Sequence, residues 1–243
     1  MHLLIRDLVT NKIEEVATRH LILADGKSAF IGPPPPASGD FGIKSHWIDV
    51  EAPRDAIELF GCRGCYGGLA AIEGGRWNAA FSVPGERLRN HHGDVDALFA
   101  ELRTENAALD RQLAGAKRVL PWLASPLPRY AVRRAWPDGT IPIGNAAAAI
   151  EPIGGEGMGL ALRSAELAAG ALAEAGDDWG PEAAAKLRRA FQRLWRPRRA
   201  GCRAAARIVS FGVLSEAATD WLGSDQRLGQ VAMGLMGKGA QTI

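Results

Sequence analysis

From Ile141 to Ala173 the chain runs IPIGNAAAAIEPIGGEGMGLALRSAELAAGALA. A short apolar strand, Ile141 to Ile143, leads into Gly144 and Asn145. A small-residue segment follows, then Pro152 and the glycine-rich turn Gly154, Gly155, Glu156, Gly157. From Met158 the pattern is a helix rich in Ala and Leu, with no breaker between Gly159 and Gly170. Strand, glycine turn and helix start in that order build an anion site. The first-turn N–H groups have no intrahelical acceptor, and the macrodipole adds roughly half a positive charge there. Glycine at 154, 155 and 157 removes the Cβ atoms that would hold a flat or phosphorylated ligand off the backbone. The same turn also occurs in α/β proteins that bind nothing, and glycine spacing alone fits both readings.

The residues around the turn separate them. Gly144, Ala146, Ala147, Pro152, Gly155 and Gly157 fall in register with a Gly-Asp-Ala-Ala, Pro, Gly-x-Gly pattern. In this the segment resembles the second FAD-contacting motif of the flavoproteins with the p-hydroxybenzoate hydroxylase fold, which include aromatic-ring monooxygenases and geranylgeranyl-reductase-like enzymes. Asn145 stands where that family has Asp; both accept a hydrogen bond from a ribityl hydroxyl, and Asn adds a donor while losing the charge. Upstream, Leu23 to Gly32 reads LADGKSAFIG. Its Asp25-Gly26, with Ser28 two residues on, resembles the Asp-Gly motif of the same family, near the FAD pyrophosphate. Taken alone, Asp-Gly is a plain turn. The resemblance implies FAD as cofactor, with NAD(P)H as an electron donor. It implies a flavin site made of Asp25, Gly26, Gly144, Asn145, Pro152, Gly154, Gly155, Glu156, Gly157 and Met158. No catalytic acid or base is assigned, since Glu156 also reads as a helix-start carboxylate.

Composition bounds the remainder. With 243 residues the chain can hold one large domain or two small ones, and 47% hydrophobic against 23% charged residues is ordinary for a globular protein. A net charge of +2 argues neither for nor against an anionic partner, and no run approaches the ~18 apolar residues of a membrane span. The start, MHLLIRDLVTNKIEE, lacks a secretory pattern. Three cysteines make no disulfide framework. A cytoplasmic enzyme acting on a small molecule is expected, with neither nucleic acid nor membrane as partner.

Along the chain, residues 1–24 read as two short strands, Leu3 to Ile5 and His20 to Ala24, with a turn at Asn11 and Lys12. Pro33 to Pro36 must be extended. Strands follow over Ile43 to Val50, Ala56 to Gly61, Cys65 to Ile72 and Arg76 to Val83, the last two joined by a Glu73-Gly74-Gly75 hairpin turn. YGGLAAIEGGRWNAAF resembles a strand pair of the family's antiparallel substrate domain, whose inner face roofs the isoalloxazine ring. Tyr66, Trp77 and Asn78 are candidates to line that cavity, although aromatics alternating in a strand also serve sheet packing. Cys62-Arg63-Gly64-Cys65 is a C-x-x-C with no second pair for zinc. It reads either as a redox pair or as two small residues at a strand end. The five histidines show no metal spacing, so no metal site is expected; His91-His92 reads as an exposed loop.

Asp94 to Arg118 is helical in pattern, with Leu98, Leu102, Leu109 and Leu113 on one face, ended by Pro121, Pro126 and Pro128. Arg129 to Trp136 reads as a return strand and Asp138-Gly139 as a turn. Residues 181–210 hold nine basic groups against Glu182 alone. These charges are spread around a helix whose Leu187, Phe191, Leu194 and Trp195 form a packing face, so a solvated capping helix is expected. Helical segments from Ile208 to Met236 and a frayed end from Gly237 close the chain.

A flavoprotein of this kind opens with a βαβ unit carrying Gly-x-Gly-x-x-Gly for the ADP half of FAD, and this sequence has none. The resemblance therefore covers nearly the whole chain but only the later part of the family's fold. The chain reads as a fragment, a late-called start or a degenerate member whose FAD domain is completed by a missing N-terminal segment or a partner. The fold class is α/β (α+β): the C-terminal part of an FAD-binding Rossmann-like domain, residues 1–32 and 129–175, with an inserted antiparallel substrate-domain sheet, 33–128, and a helical C-terminal region, 176–243. The implied function is an FAD-dependent oxidoreductase of monooxygenase or reductase type. The alternative is a non-catalytic binding or scaffold protein that has lost FAD.

Overall fold

The computed structural model describes residues 1–27, 37–128 and 130–211 and the single positions 227, 230 and 234. Ser28, the Pro33 to Pro36 run and nearly all of the helical stretch expected after Ile208 lie outside these. In chain order the elements are strands β1 (His2–Arg6), β2 (Ile13–Ala17), β3 (Leu21–Leu23), β4 (Ala37–Ile48), β5 (Ile57–Cys62), β6 (Cys65–Ala71) and β7 (Trp77–Pro84). Helices α1 (Gly85–Asn90), α2 (Val95–Glu105) and α3 (Ala107–Gln112) come next. Strands β8 (Lys117–Arg118), β9 (Leu123–Pro128) and β10 (Thr140–Pro142) precede helices α4 (Gly157–Ala175) and α5 (Pro181–Val209). The chain divides into two compact units: Met1–Pro35, Tyr130–Ile150 and Gly155–Pro197, and Pro36–Arg129, Glu151–Gly154 and Arg198–Ile243.

The second unit is an antiparallel sheet in the order β5-β6-β7-β4, with β8 and β9 both on the outer edge of β4. Strict alternation makes β7 two-faced: Trp77, Ala79, Phe81 and Val83 are buried, while Asn78, Ala80 and Ser82 point the other way. The buried face of the sheet meets Leu98, Phe99, Leu102, Leu109 and Leu113 of the helices in one core. Phe99 is its hub, with ring centroids 5.6 Å from Trp47, 5.5 Å from Phe81 and 4.7 Å from Trp122. Gly61 is obligatory here: a Cβ would stand 1.9 Å from the Val209 carbonyl oxygen, where the last turns of α5 lie on the hairpin.

Four expectations need correction. Ile13–Ala17 is a strand, paired with β1 around Asn11 at φ 56°; Glu14 and Glu15 hide it because neither face of this hairpin is buried. The helix expected from Asp94 to Arg118 is two helices. Asn106 adopts an extended backbone and its side chain accepts from Ala108 N and Leu109 N at 3.1 Å each, capping α3. Lys117–Arg118 is then strand, not helix. A short helix, α1, fills the segment before His91, which is not free in solvent but bonded to Glu101. The return strand lies at Leu123–Pro128 rather than Arg129 to Trp136, where Val132 makes only an isolated bridge to Ala148. Pro126 and Pro128 looked like helix stops, yet an edge strand tolerates proline because one side of it needs no N–H donor.

In the first unit β3 and β10 run parallel, Leu21 opposite Thr140 and Leu23 opposite Pro142. The α4 helix passes through Gly170 and ends at Gly176, whose φ of 54° suits a glycine stop. Leu187, Phe191 and Trp195 are buried as the packing face of α5, with Trp136 against Phe191 at 5.8 Å and the Arg188 guanidinium over Trp136.

Candidate functional site

The first unit brings two sequence motifs to one end of a parallel strand pair. Ile143 N donates to Leu23 O at 2.9 Å, so the pairing continues to the very ends of β3 and β10. Asp25-Gly26 and Gly144-Asn145 then leave from the same carboxyl edge, which is where open α/β sheets hold ligands. Both turns rest on glycine: Gly26 has φ 68° and Gly144 φ 55°. Gly144 also touches α4, where a Cβ would lie 3.2 Å from that of Ala161, and its N–H donates to Ser164 Oγ at 2.8 Å. Ser164 Oγ in turn donates to Ala161 O. This bond locks the motif turn to the helix. Asn145 is exposed within a buried run, Gly144 before it and Ala146 to Ile150 after it.

Pro152–Gly154 forms a 3-10 turn, Pro152 exposed and Gly154 buried, and Gly155 takes φ 64° to enter the helix. Glu156 occupies the N-cap position of α4, and its side chain makes no cap bond to the first turn. Gly157 and Met158 are exposed, and a Cβ added at Gly157 or Gly159 meets nothing within 4 Å. Among the described residues, the helix start is open at Gly157 and Gly159. A planar or anionic group can approach the backbone there.

The other three candidates belong to the sheet unit and part company. Trp77 is not on a cavity: period-2 alternation turns it into the core, where the Arg54 guanidinium covers its ring. Asn78 is on the opposite face, opposite His46 and Ala70. Tyr66 shares that opposite face and lines a cavity of about 220 Å³ together with Asp40, Cys65, Ser82, Glu151, Arg203 and Arg207. Its hydroxyl donates to Glu151 Oε1 at 2.7 Å, both residues being buried. Burial raises the Asp40 carboxyl above its ordinary value. Sequence reasoning missed Glu151, Arg203 and Arg207. Glu151 had a signal, a lone acid ending the apolar run Ala146 to Ile150; the arginines were hidden among many. Among the described residues no group of three or more His, Cys, Asp or Glu side chains is placed to hold a metal ion, and no helix is long and apolar enough to cross a membrane.

No protein-family model matches the sequence, and no curated protein matches it. Solved structures do. The chain is similar to the flavin-dependent brominase Bmp2, at 18% identity over 98% of this chain and 61% of that one, with a TM-score of 0.75. A geranylgeranyl bacteriochlorophyll reductase-like protein of Thermoplasma acidophilum matches at 18% identity over 85% of this chain and 55% of that one, TM-score 0.68. The myxobacterial FAD-dependent chondrochloren halogenase CndH matches at 16% identity over 81% and 48%, TM-score 0.66. The fold is thus the one that flavin-dependent halogenases and geranylgeranyl-reductase-like proteins share. This chain spans between 48% and 61% of the length of those three proteins.

Proposed function

We propose that this chain is the flavin-seating and substrate-sheet portion of an FAD-dependent oxidoreductase. The observation that carries the reading is the unplugged start of α4 beside a glycine turn at the carboxyl edge of a parallel strand pair. Three features fit a flavin. The first-turn N–H groups of α4, where a Cβ at Gly157 or Gly159 meets nothing within 4 Å, suit the pyrimidine edge of the ring. Asn145, exposed on the turn after β10, offers a carboxamide to a ribityl hydroxyl. Gly26, at positive φ, lets the backbone beside Asp25 approach a diphosphate without a Cβ in the way.

When bound, the flavin supplies the hydride and oxygen chemistry, with NAD(P)H as electron donor. The chain's own residues bind and orient. The α4 dipole contributes roughly 0.3–1 kcal/mol toward the extra negative charge of a reduced ring, more in a dry site. Tyr66 and Glu151, hydrogen-bonded to each other, orient a small-molecule substrate in the cavity of the sheet unit, with Arg203 and Arg207 attracting an anionic group on it. A parallel pair of three-residue strands is too small to stand alone. The reading therefore includes a further strand-bearing segment, from the same polypeptide or a partner, against β3 or β10.

The test is reconstitution. Purified protein incubated with FAD and desalted should stay yellow, with flavin absorbance co-eluting with the protein. Colourless protein would leave the binding or scaffold reading. Turnover of NADPH by the yellow protein would then separate reductase from oxygenase chemistry by whether oxygen is consumed.

A further inference from the structure

Cys62 and Cys65 are register partners across the β5–β6 turn, with only Arg63 and Gly64 between them. The turn is clamped from both sides. Glu105 Oε2 accepts from Arg63 N at 3.0 Å, and Arg87 Nη1 donates to Arg63 O at 3.0 Å. Arg87 is itself held by Glu105 at 2.9 Å and Glu101 at 2.9 Å. The same Nη1 lies 3.3 Å from Cys65 Sγ, while Cys62 Sγ lies 3.7 Å from the Leu102 carbonyl oxygen. Residues paired across antiparallel strands have Cα atoms about 4.5–5.5 Å apart, inside the ~4.4–6.8 Å span that a disulfide needs. Both thiols are unlinked here, as is Cys202.

The two sulfurs are not equivalent. A hydrogen bond from the Cys62 thiol holds Cys65 below the ordinary thiol range; burial opposes this and the Arg87 guanidinium reinforces it. Giving that bond, together with burial, pushes Cys62 up. Both side chains are buried in the core of the sheet unit, and the Arg87 guanidinium stands beside Cys65 alone. A thiol becomes a nucleophile where a cation favours its thiolate.

We propose that Cys62 and Cys65 form a reversible dithiol/disulfide couple, oxidised by hydrogen peroxide, with Cys65 as the attacking sulfur and Cys62 as the resolving one. The Cys65 thiolate attacks one peroxide oxygen, the O–O bond breaks, and the departing hydroxide takes a proton to leave as water. Cys65 is then a sulfenic acid. Cys62 sulfur attacks Cys65 sulfur, the S–O bond breaks, and a second water leaves with the Cys62 proton. One peroxide is reduced to two waters as two thiols become one disulfide. A small dithiol reverses the change by exchange. The tiny ring that results gains little from loop-closure entropy, which suits a labile bond over a structural one.

Arg63 makes the test simple, because trypsin cuts the chain between the two cysteines. Full-length protein treated with stoichiometric peroxide, alkylated and digested without reductant should give the Cys62 and Cys65 peptides joined, about 2 Da lighter than their sum, and separate after dithiothreitol. Cys202 should remain free. In Cys62→Ser, Cys65 should stop at the sulfenic acid and be trapped by dimedone; in Cys65→Ser, Cys62 should not react. Arg87→Lys, which keeps the charge but loses the fork, should slow oxidation about tenfold. Joined peptides in the wild type uphold the proposal even if a variant fails to fold. Three alkylatable thiols after peroxide, or a link through Cys202 or between two molecules, would overturn it.

Discussion

The two units bury their apolar residues very differently. The sheet unit gathers Ile43, Trp47, Leu69, Trp77, Phe81, Leu98, Phe99 and Leu102 into one dry core between a sheet and two helices. The first unit buries Phe191, Trp195 and Ile141, yet leaves Leu4, Ile5, Leu8, Val9 and Ile13 of its hairpin exposed, with Ile22 on β3 and Met158 and Leu162 on α4. One holds itself together by packing. The other is a frame of glycine turns and a bare helix start, with apolar surface that a ligand or further chain can cover. The largest packed core and the proposed flavin seat therefore lie in different parts of the molecule.

That contrast can be broken most forcefully at Phe99. Truncating it to alanine removes the ring that Trp47, Phe81 and Trp122 share, and should cost about 3–5 kcal/mol. Denaturant unfolding should record the loss, and hydrogen exchange should rise in β6 and β7 while Leu21–Leu23 keeps its protection. In the first unit the corresponding tie is polar. Ser164→Ala leaves the buried Gly144 N–H without its acceptor, a loss of about 1–3 kcal/mol. Exchange should quicken at Gly144 and leave the sheet core untouched.

A smaller effect is pH-dependent. The Glu101 carboxyl sits below its ordinary value because of its hydrogen bond with His91, helped by Arg87 and opposed by burial. Its folded state thus holds its proton less readily than the unfolded chain. The stabilisation is complete above the ordinary carboxylate range and is lost as pH falls through the lowered folded value. Glu101→Gln should flatten the acid limb of stability below about pH 4, by only a few tenths of a kcal/mol since Glu101 is well solvated. Least of all, Leu8→Ser should change stability by under about 0.5 kcal/mol, because Leu8 is 92% exposed. A larger loss at Leu8, read by thermal unfolding, would mean that the hairpin surface is covered in solution.

The same contrast explains what could be read from sequence. Period-2 alternation in Trp77 to Pro84 and the Gly74-Gly75 turn announce the hairpin because one face is buried and the other is not. The Ile141 strand, the turn and the helix after it were legible because glycine and helix composition are local signals. Ile13–Ala17 was not, since a strand exposed on both faces carries no pattern. Asn106 breaks a continuous helical periodicity by hydrogen-bonding its own backbone, an effect that competes with helix over only three residues. Trp77 misled because an aromatic in a strand looks the same whether it faces core or cavity. Arg87, Glu105, Glu151 and the two cavity arginines meet their partners only through tertiary folding, and no spacing in the chain announces them.

The central claim, that the start of α4 receives a flavin ring, is tested most directly by titrating FAD into wild type and Gly157→Leu side by side, following flavin fluorescence. A Cβ at 157 meets nothing within 4 Å, so melting temperature should change little while the leucine side chain fills the seat. The account predicts saturable binding by wild type and a loss of at least about tenfold in affinity, or 1.4 kcal/mol, in the variant. Equal FAD binding by the two proteins would contradict it, as would a wild type that does not bind FAD at all.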